Sequence, residues 1–145
     1  MEIKATLQKP YTEEEKENFI VEYNHNKNFM IEETEDELQA FGYTEEELAQ
    51  FNKERIAMLS LTRGDVFRGL LQAKGITRAQ IRAMIETNEK LSVVEKEMAL
   101  IDFDEALNFY RGNELINILG LALGITSEQL DKFFETNDYK TLIEE

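Results

Sequence analysis

Two stretches of this chain are nearly the same sequence. Residues 75–88 (GITRAQIRAMIETN) lie over residues 124–137 (GITSEQLDKFFETN) at a constant offset of 49. Seven of the fourteen positions are identical and three more are apolar in both copies. The residues ahead of each Gly align as well, 66–71 over 115–120. Each copy spells out one supersecondary unit. Gly supplies a left-handed cap that ends one helix, Ile plugs the corner, and Thr caps the next helix. Two copies are too few for a solenoid, so the duplication predicts two helical hairpins, about 62–88 and 111–137, packed as a pseudo-symmetric pair.

The punctuation around the repeat is mostly helical. Thr44 with Glu47, Thr62 with Asp65, Thr77 with Gln80 and Ser92 with Glu95 all have N-terminal capping spacing. Asn113 and Thr126 open two further helices, the first stopped by Gly124. Leu48, Phe51, Ile56 and Leu59 follow Thr44 at helical spacing. The helix after Ser92 is expected to end before Gly112 and to turn Met98, Ile101, Ala106 and Phe109 toward a core. Gly64 and Gly69 fall inside the 62–75 helix, where each costs about 1 kcal/mol relative to Ala. Close helix contact is the expected reason for both.

The opening residues read differently. Residues 2–7 alternate weakly as a strand, Thr12 with Glu15 caps a helix carrying Phe19, Ile20 and Tyr23, and residues 28–33 form a second strand. That is a minimal strand–helix–strand crossover. Residues 36–41 read as one or two helical turns stopped by Gly42, and from residue 34 onward the pattern is helical throughout. The expected fold is mainly α within the α+β class. A mixed N-terminal unit over 1–50 precedes a helical domain over 51–145 containing the duplicated hairpin.

Composition narrows the chemistry. There is no Cys and one His, so thiolate chemistry, disulfides and His-cluster metal sites are excluded. His25 sits in an Asn-rich helix terminus with no partner pattern and reads as a surface residue. Asp102, Asp104 and Glu105 lack the Gly and the bidentate Glu of a calcium loop and read as a solvated helix face. Among 30 acidic residues, pairs at glycosidase-like separation carry no specificity. No phosphate-binding Gly loop or nucleophile elbow is present. The expectation is a non-enzymatic chain with no cofactor and no metal.

Charge is unevenly placed. The net of -14 divides into -10 over residues 1–52, +5 over 53–82 and -9 over 83–145. Lys53, Arg55, Arg63, Arg68, Lys74, Arg78 and Arg82 make up the basic stretch. Arg63, Arg68, Lys74, Arg78 and Arg82 are its candidate partner-binding face, directed at an acidic partner, at the chain's own acidic segments or at a second copy. The hairpin layout also has helix-turn-helix spacing. In the second copy, however, the would-be recognition helix (Ser127, Glu128, Asp131, Lys132, Glu135) is net acidic, and the overall field repels phosphates. Nucleic-acid binding is therefore not expected.

Four stretches carry a family resemblance: EIKATLQKPYTEEEKENFIVEYNHN, IEETEDELQAFGYTEEE, ERIAMLSLTRGDVFRGLLQAKGIT, and NFYRGN with LGITSEQLDKFFETND. Together they resemble small uncharacterised proteins of Firmicutes-type phages and prophages, encoded near tail or tail-fibre genes. The resemblance implies a phage or prophage origin and a place in or beside the tail module; it implies no site residue. The expected function is a protein–protein interaction component of that module, docking to tail or fibre proteins. An acidic phage-encoded inhibitor that mimics nucleic acid against a host defence protein is the alternative. A helix-turn-helix-like regulator is the third. No basic-then-apolar leader and no apolar run of membrane length occur, so the host cytoplasm or the virion is the expected location, with no membrane partner. Homo-oligomerisation is open on sequence grounds.

Overall fold

The computed structural model describes residues 1–144 and shows a mainly α protein of the α+β class. Its elements are β1 (Glu2–Gln8), α1 (Glu13–Ile20), β2 (Met30–Glu33), β3 (Glu37–Gly42), α2 (Glu45–Ala57), β4 (Ser60–Thr62), α3 (Arg63–Lys74), α4 (Arg78–Glu86), α5 (Val93–Glu105), β5 (Asn108–Tyr110), α6 (Glu114–Leu123) and α7 (Ser127–Thr136). A π-helical turn, Val21–His25, extends α1, and a 3-10 turn, Tyr139–Leu142, follows α7. Two compact units divide the chain at Asn52 and Lys53, inside α2. Among the described residues, no helix is long and apolar enough to cross a membrane.

The first unit is a three-stranded sheet in the order β1-β3-β2, with α1 linking the two edge strands. Both edges run antiparallel to β3, so they are parallel to each other, as a crossover requires. A third strand lies between them, which corrects the helical reading of residues 36–41. Glu, Leu, Gln and Ala favour a helix, but the alternation of Leu38, Ala40 and Gly42 toward the interior fits a strand paired on both sides. Thr34 makes the turn that delivers it: its N–H donates to the Glu37 carbonyl at 2.8 Å and its Oγ1 accepts from the Glu37 N–H at 3.1 Å. Phe19, Leu38 and Ala40 are the buried centre, with Leu7, Tyr23 and Ile31 packed around them.

The second unit is built on the duplication. Thr77 and Thr126 each close a full capping box, with Gln80 and Gln129 respectively. Gly75 (φ 64°) and Gly124 (φ 69°) end α3 and α6 in the left-handed conformation. Equivalent positions are buried together in both copies: Val66 and Leu115, Phe67 and Ile116, Leu70 and Leu119, Ile81 and Leu130, Ile85 and Phe134. These positions share one buried cluster in this unit, together with Leu61, Ala99, Phe103, Phe109 and Leu142 from outside the two copies.

Two short strands join the copies, and these also depart from the all-helical reading beyond residue 34. β4 and β5 pair antiparallel, with Leu61 opposite Phe109 at the centre. The Arg63 N–H donates to the Leu107 carbonyl at 2.9 Å and the Arg111 N–H to the Leu59 carbonyl at 2.8 Å. Residues 48 apart thus exchange equivalent bonds about a local two-fold, as in an isologous interface. β5 also ends α5 at Glu105, well short of Gly112. The face that α5 buries differs from expectation too. Ala99 and Phe103 enter the core, while Met98 and Ile101 are exposed; Phe109 is fully buried, but from the strand.

Gly69 is where the copies interlock. A Cβ there would stand 2.4 Å from the Phe133 ring of α7, so the ring occupies the space a side chain would need. Gly64 makes no such contact; an added Cβ would first meet the guanidinium of Arg68, at 2.8 Å, the far end of an exposed side chain. The close-contact expectation therefore holds for Gly69 and fails for Gly64. Gly69→Ala should destabilise the chain by about 1–3 kcal/mol through overpacking. Gly64→Ala should be neutral or stabilise it by up to about 1 kcal/mol. Urea unfolding midpoints of the two variants check both, and equal shifts would contradict the assignment.

In the first unit, Glu33 at the end of β2 accepts a hydrogen bond from the Tyr11 hydroxyl and faces Lys9 and Lys16, each at 3.3 Å. The Tyr11 bond, then the two lysines, hold its carboxyl down to about 2, from an ordinary 4.5. The same bond pushes Tyr11 up to about 12, from an ordinary 10. A depressed carboxyl stabilises fully above its ordinary value and loses that contribution as pH falls through its folded value. The raised phenol contributes fully below 10 and loses it as pH rises through 12. The melting temperature should therefore fall between pH 4.5 and 2, and Glu33→Gln should flatten that acid limb. An unchanged acid limb in the variant would rule out this linkage.

Candidate functional site

The candidate site lies where α3 turns into α4. The Gly75 corner brings the two helices together at an angle that leaves a groove of about 390 Å³. Phe67, Leu71 and Ile76 form an apolar floor, and Arg63, Arg68 and Arg78 stand at its rim. Three residues of the expected basic face thus meet in one groove. Lys74 and Arg82 do not line it, and neither do Lys53 and Arg55 on α2. Arg55 pairs with Glu135 at 2.8 Å.

Each arginine is held differently. Arg63 donates to the Phe103 carbonyl and lies over the rings of Phe67 and Phe103, 4.9 and 5.4 Å from their centroids, a stacked cation–π arrangement. Arg68 pairs with Asp65 one turn back at 2.8 Å and is otherwise exposed. That pair, first among its neighbours, holds the Asp65 carboxyl below its usual range. Arg78 is exposed at the first turn of α4 and makes no ion pair among the described residues. Arg82 pairs with Asp104 at 2.6 Å and Glu86 at 3.1 Å. Asp104 raises Arg82, and Arg82 in turn lowers Asp104. Asp104 therefore links α4 and α5 through an exposed ion pair, on the solvated helix face where Glu105 is also exposed and Asp102 is half-buried. His25 is exposed. No group of three or more metal-ligating side chains occurs among the described residues.

The duplication places a second groove of about 240 Å³ at the equivalent corner, lined by Arg111, Asn117, Gly120, Ile125 and Ser127. Its arginine is nearly buried, 7% exposed. Nε of Arg111 donates to Asp131 at 2.7 Å, Nη1 to Asn117 at 2.8 Å, and Nη2 to the Ser127 hydroxyl at 2.9 Å. The guanidinium thus ties β5 to α6 and α7, with each nitrogen satisfied. Sequence reasoning left this residue out. The signal that could have found it is the Arg-Gly pair recurring at 63–64 and 111–112, at an offset of 48 rather than 49.

Comparison of the chain with known protein families, with curated proteins and with solved structures gives no significant match.

Arg111 is a buried cation, so removing it strands Asp131, which keeps a third of its side chain in contact with solvent. Arg111→Leu should cost about 2–4 kcal/mol, somewhat below the usual range for breaking a fully buried pair. Arg111→Lys should recover only part of the loss, because an ammonium cannot span three partners in one plane. Thermal or urea unfolding of both variants measures this. Full recovery by Lys would show that charge alone matters.

Proposed function

We propose that the chain is a non-enzymatic protein–protein interaction component of a phage or prophage tail module, acting in the host cytoplasm or within the virion. The observation that carries the interaction reading is the outer face of α5. Val94, Met98 and Ile101 follow one another at helical spacing and are 67, 62 and 47% exposed. The opposite face of the same helix is already buried through Ala99 and Phe103. A helix apolar on two sides, with one side covered, offers the other to a partner. The tail setting rests on the resemblance of the four quoted stretches to phage proteins. Tail or fibre proteins are the proposed partners.

The acidic alternative, mimicry of nucleic acid against a host defence protein, draws on the net charge of -14. It predicts a complex governed by long-range electrostatics, which salt screens. A tagged full-length chain used as bait in the phage-producing host separates the two. Tail or fibre proteins should be retained at about 0.5 M salt, where the Debye length is only a few ångströms. The double variant Met98→Glu with Ile101→Glu should reduce that retention by about tenfold while leaving circular dichroism unchanged. A host nuclease or DNA-binding protein that is lost at high salt would replace this reading with mimicry. Retention untouched by the double variant would remove α5 as the docking face.

A further inference from the structure

The two grooves of the second unit are the same place in two copies of one hairpin, so each serves as an internal reference for the other. In the second copy, Asn117, Ser127 and Asp131 surround and hold a guanidinium supplied by Arg111. At the repeat offset of 49, those positions in the first copy are Arg68, Arg78 and Arg82. Every group that receives the cation in one copy is itself a cation in the other. The equivalent arginine, Arg63, accordingly does not enter; it turns to the Phe103 carbonyl and the aromatic rings. The first groove is also the larger, about 390 against 240 Å³, and its apolar lining offers exposed Leu71 and half-buried Ile76 beside Phe67, whose ring is buried beneath Arg63.

We propose that the first groove is the recognition site for an acidic peptide segment of a protein partner. A carboxylate of that segment is held between Arg68 and Arg78, and a neighbouring apolar side chain is seated on Leu71 and Ile76. The proposal rests on the interaction reading above and names the chemistry of a second docking site within it. Charge complementarity selects the carboxylate. Where the second copy places its own guanidinium among oxygen acceptors, the first presents guanidiniums, of which Arg78 has no ion-pair partner among the described residues. Arg68, itself exposed, pairs with the half-buried Asp65. Arg82 is engaged by Asp104 and Glu86, so it contributes field rather than a direct bond. The apolar floor selects a peptide over nucleic acid. Phosphate backbones are tracked by rows of cations over polar ground, whereas this volume takes one or two side chains and the rest of the chain repels polyanions.

The test uses the full-length chain and a library of random peptides displayed on beads. Recovered sequences should place Asp or Glu next to Leu, Phe or Tyr. In titrations with the best such peptide, amide shifts should concentrate in residues 63–78. Arg68→Glu with Arg78→Glu should weaken binding at least about tenfold, and replacing the peptide's acids by amides should do the same. Both arginines are exposed, so the variant's fold is checked by its unchanged spectrum. Peptides without an acidic residue, binding indifferent to the charge reversals, or no recovered peptide at all would each overturn the proposal. So would duplex DNA or inorganic phosphate binding in the groove more tightly than any recovered peptide. The outcome is separable from that of the interaction reading. Tail-protein capture that survives the arginine reversals but is lost with Met98→Glu and Ile101→Glu overturns the groove assignment and leaves the α5 interface standing.

Discussion

The second unit depends on the pairing of β4 with β5. These strands have three residues each, too few to be stable alone, yet they fix where each hairpin begins and which way its helices leave. Leu61 and Phe109 sit opposite each other at the centre, and both are buried. Bonds from Arg63 to Leu107 and from Arg111 to Leu59 lock the ends. With the ribbon in register, the equivalent apolar positions of both copies fall on one shared interior, and a single core of Val, Ile, Leu and Phe closes between them. The hairpins then need not be stable separately; each covers the apolar face of the other.

Symmetry is broken where function and packing diverge. Across the centre, Gly69 makes room for Phe133, while the equivalent positions hold Ile118 and Met84, so similar volume is divided differently on the two sides. At the corners the divergence is electrostatic. One copy uses its arginine as an internal strut among Asp131, Asn117 and Ser127, and the other surrounds the same corner with arginines. A buried guanidinium that satisfies all its neighbours rigidifies a corner, whereas the corner ringed by like charges leaves Leu71 exposed. Duplication followed by such divergence turns one scaffold position into a structural site in one copy and an arginine-rimmed groove, the recognition site we propose, in the other.

The surface carries the same logic on a larger scale. Acidic residues dominate both ends of the sequence, and the cations gather in the middle, where α3 and α4 form the open corner. Asp104 and Glu86 engage Arg82, and Asp65 engages Arg68, so much of the basic stretch is answered locally. Arg78 stands without an ion pair among the described residues, at the rim of that open corner. The exposed apolar stripe of α5 is of a different kind, uncharged and helical, and suits a salt-resistant contact.

Most helix starts were legible because a capping box is written in residues three apart and acts through bonds that no distant contact can replace. Thr12, Thr44, Thr77 and Thr126 all cap as their spacing implies. Gly75 and Gly124 end their helices for the same local reason. The repeat, and with it the paired hairpins, also followed from sequence alone. What tertiary structure decided was pairing and facing. β3 is a strand because β1 and β2 flank it, against the helical preference of its own residues. α5 turns Ala99 and Phe103 inward rather than Met98 and Ile101, because β5 stops it and α4 and α6 cover only that side. Arg111 became a strut, and Arg63 did not, because their surroundings come from helices folded back over them. Local bonds are set by neighbours in the chain. Strand partners, buried faces and the fate of a charge are set by residues brought together from tens of positions away.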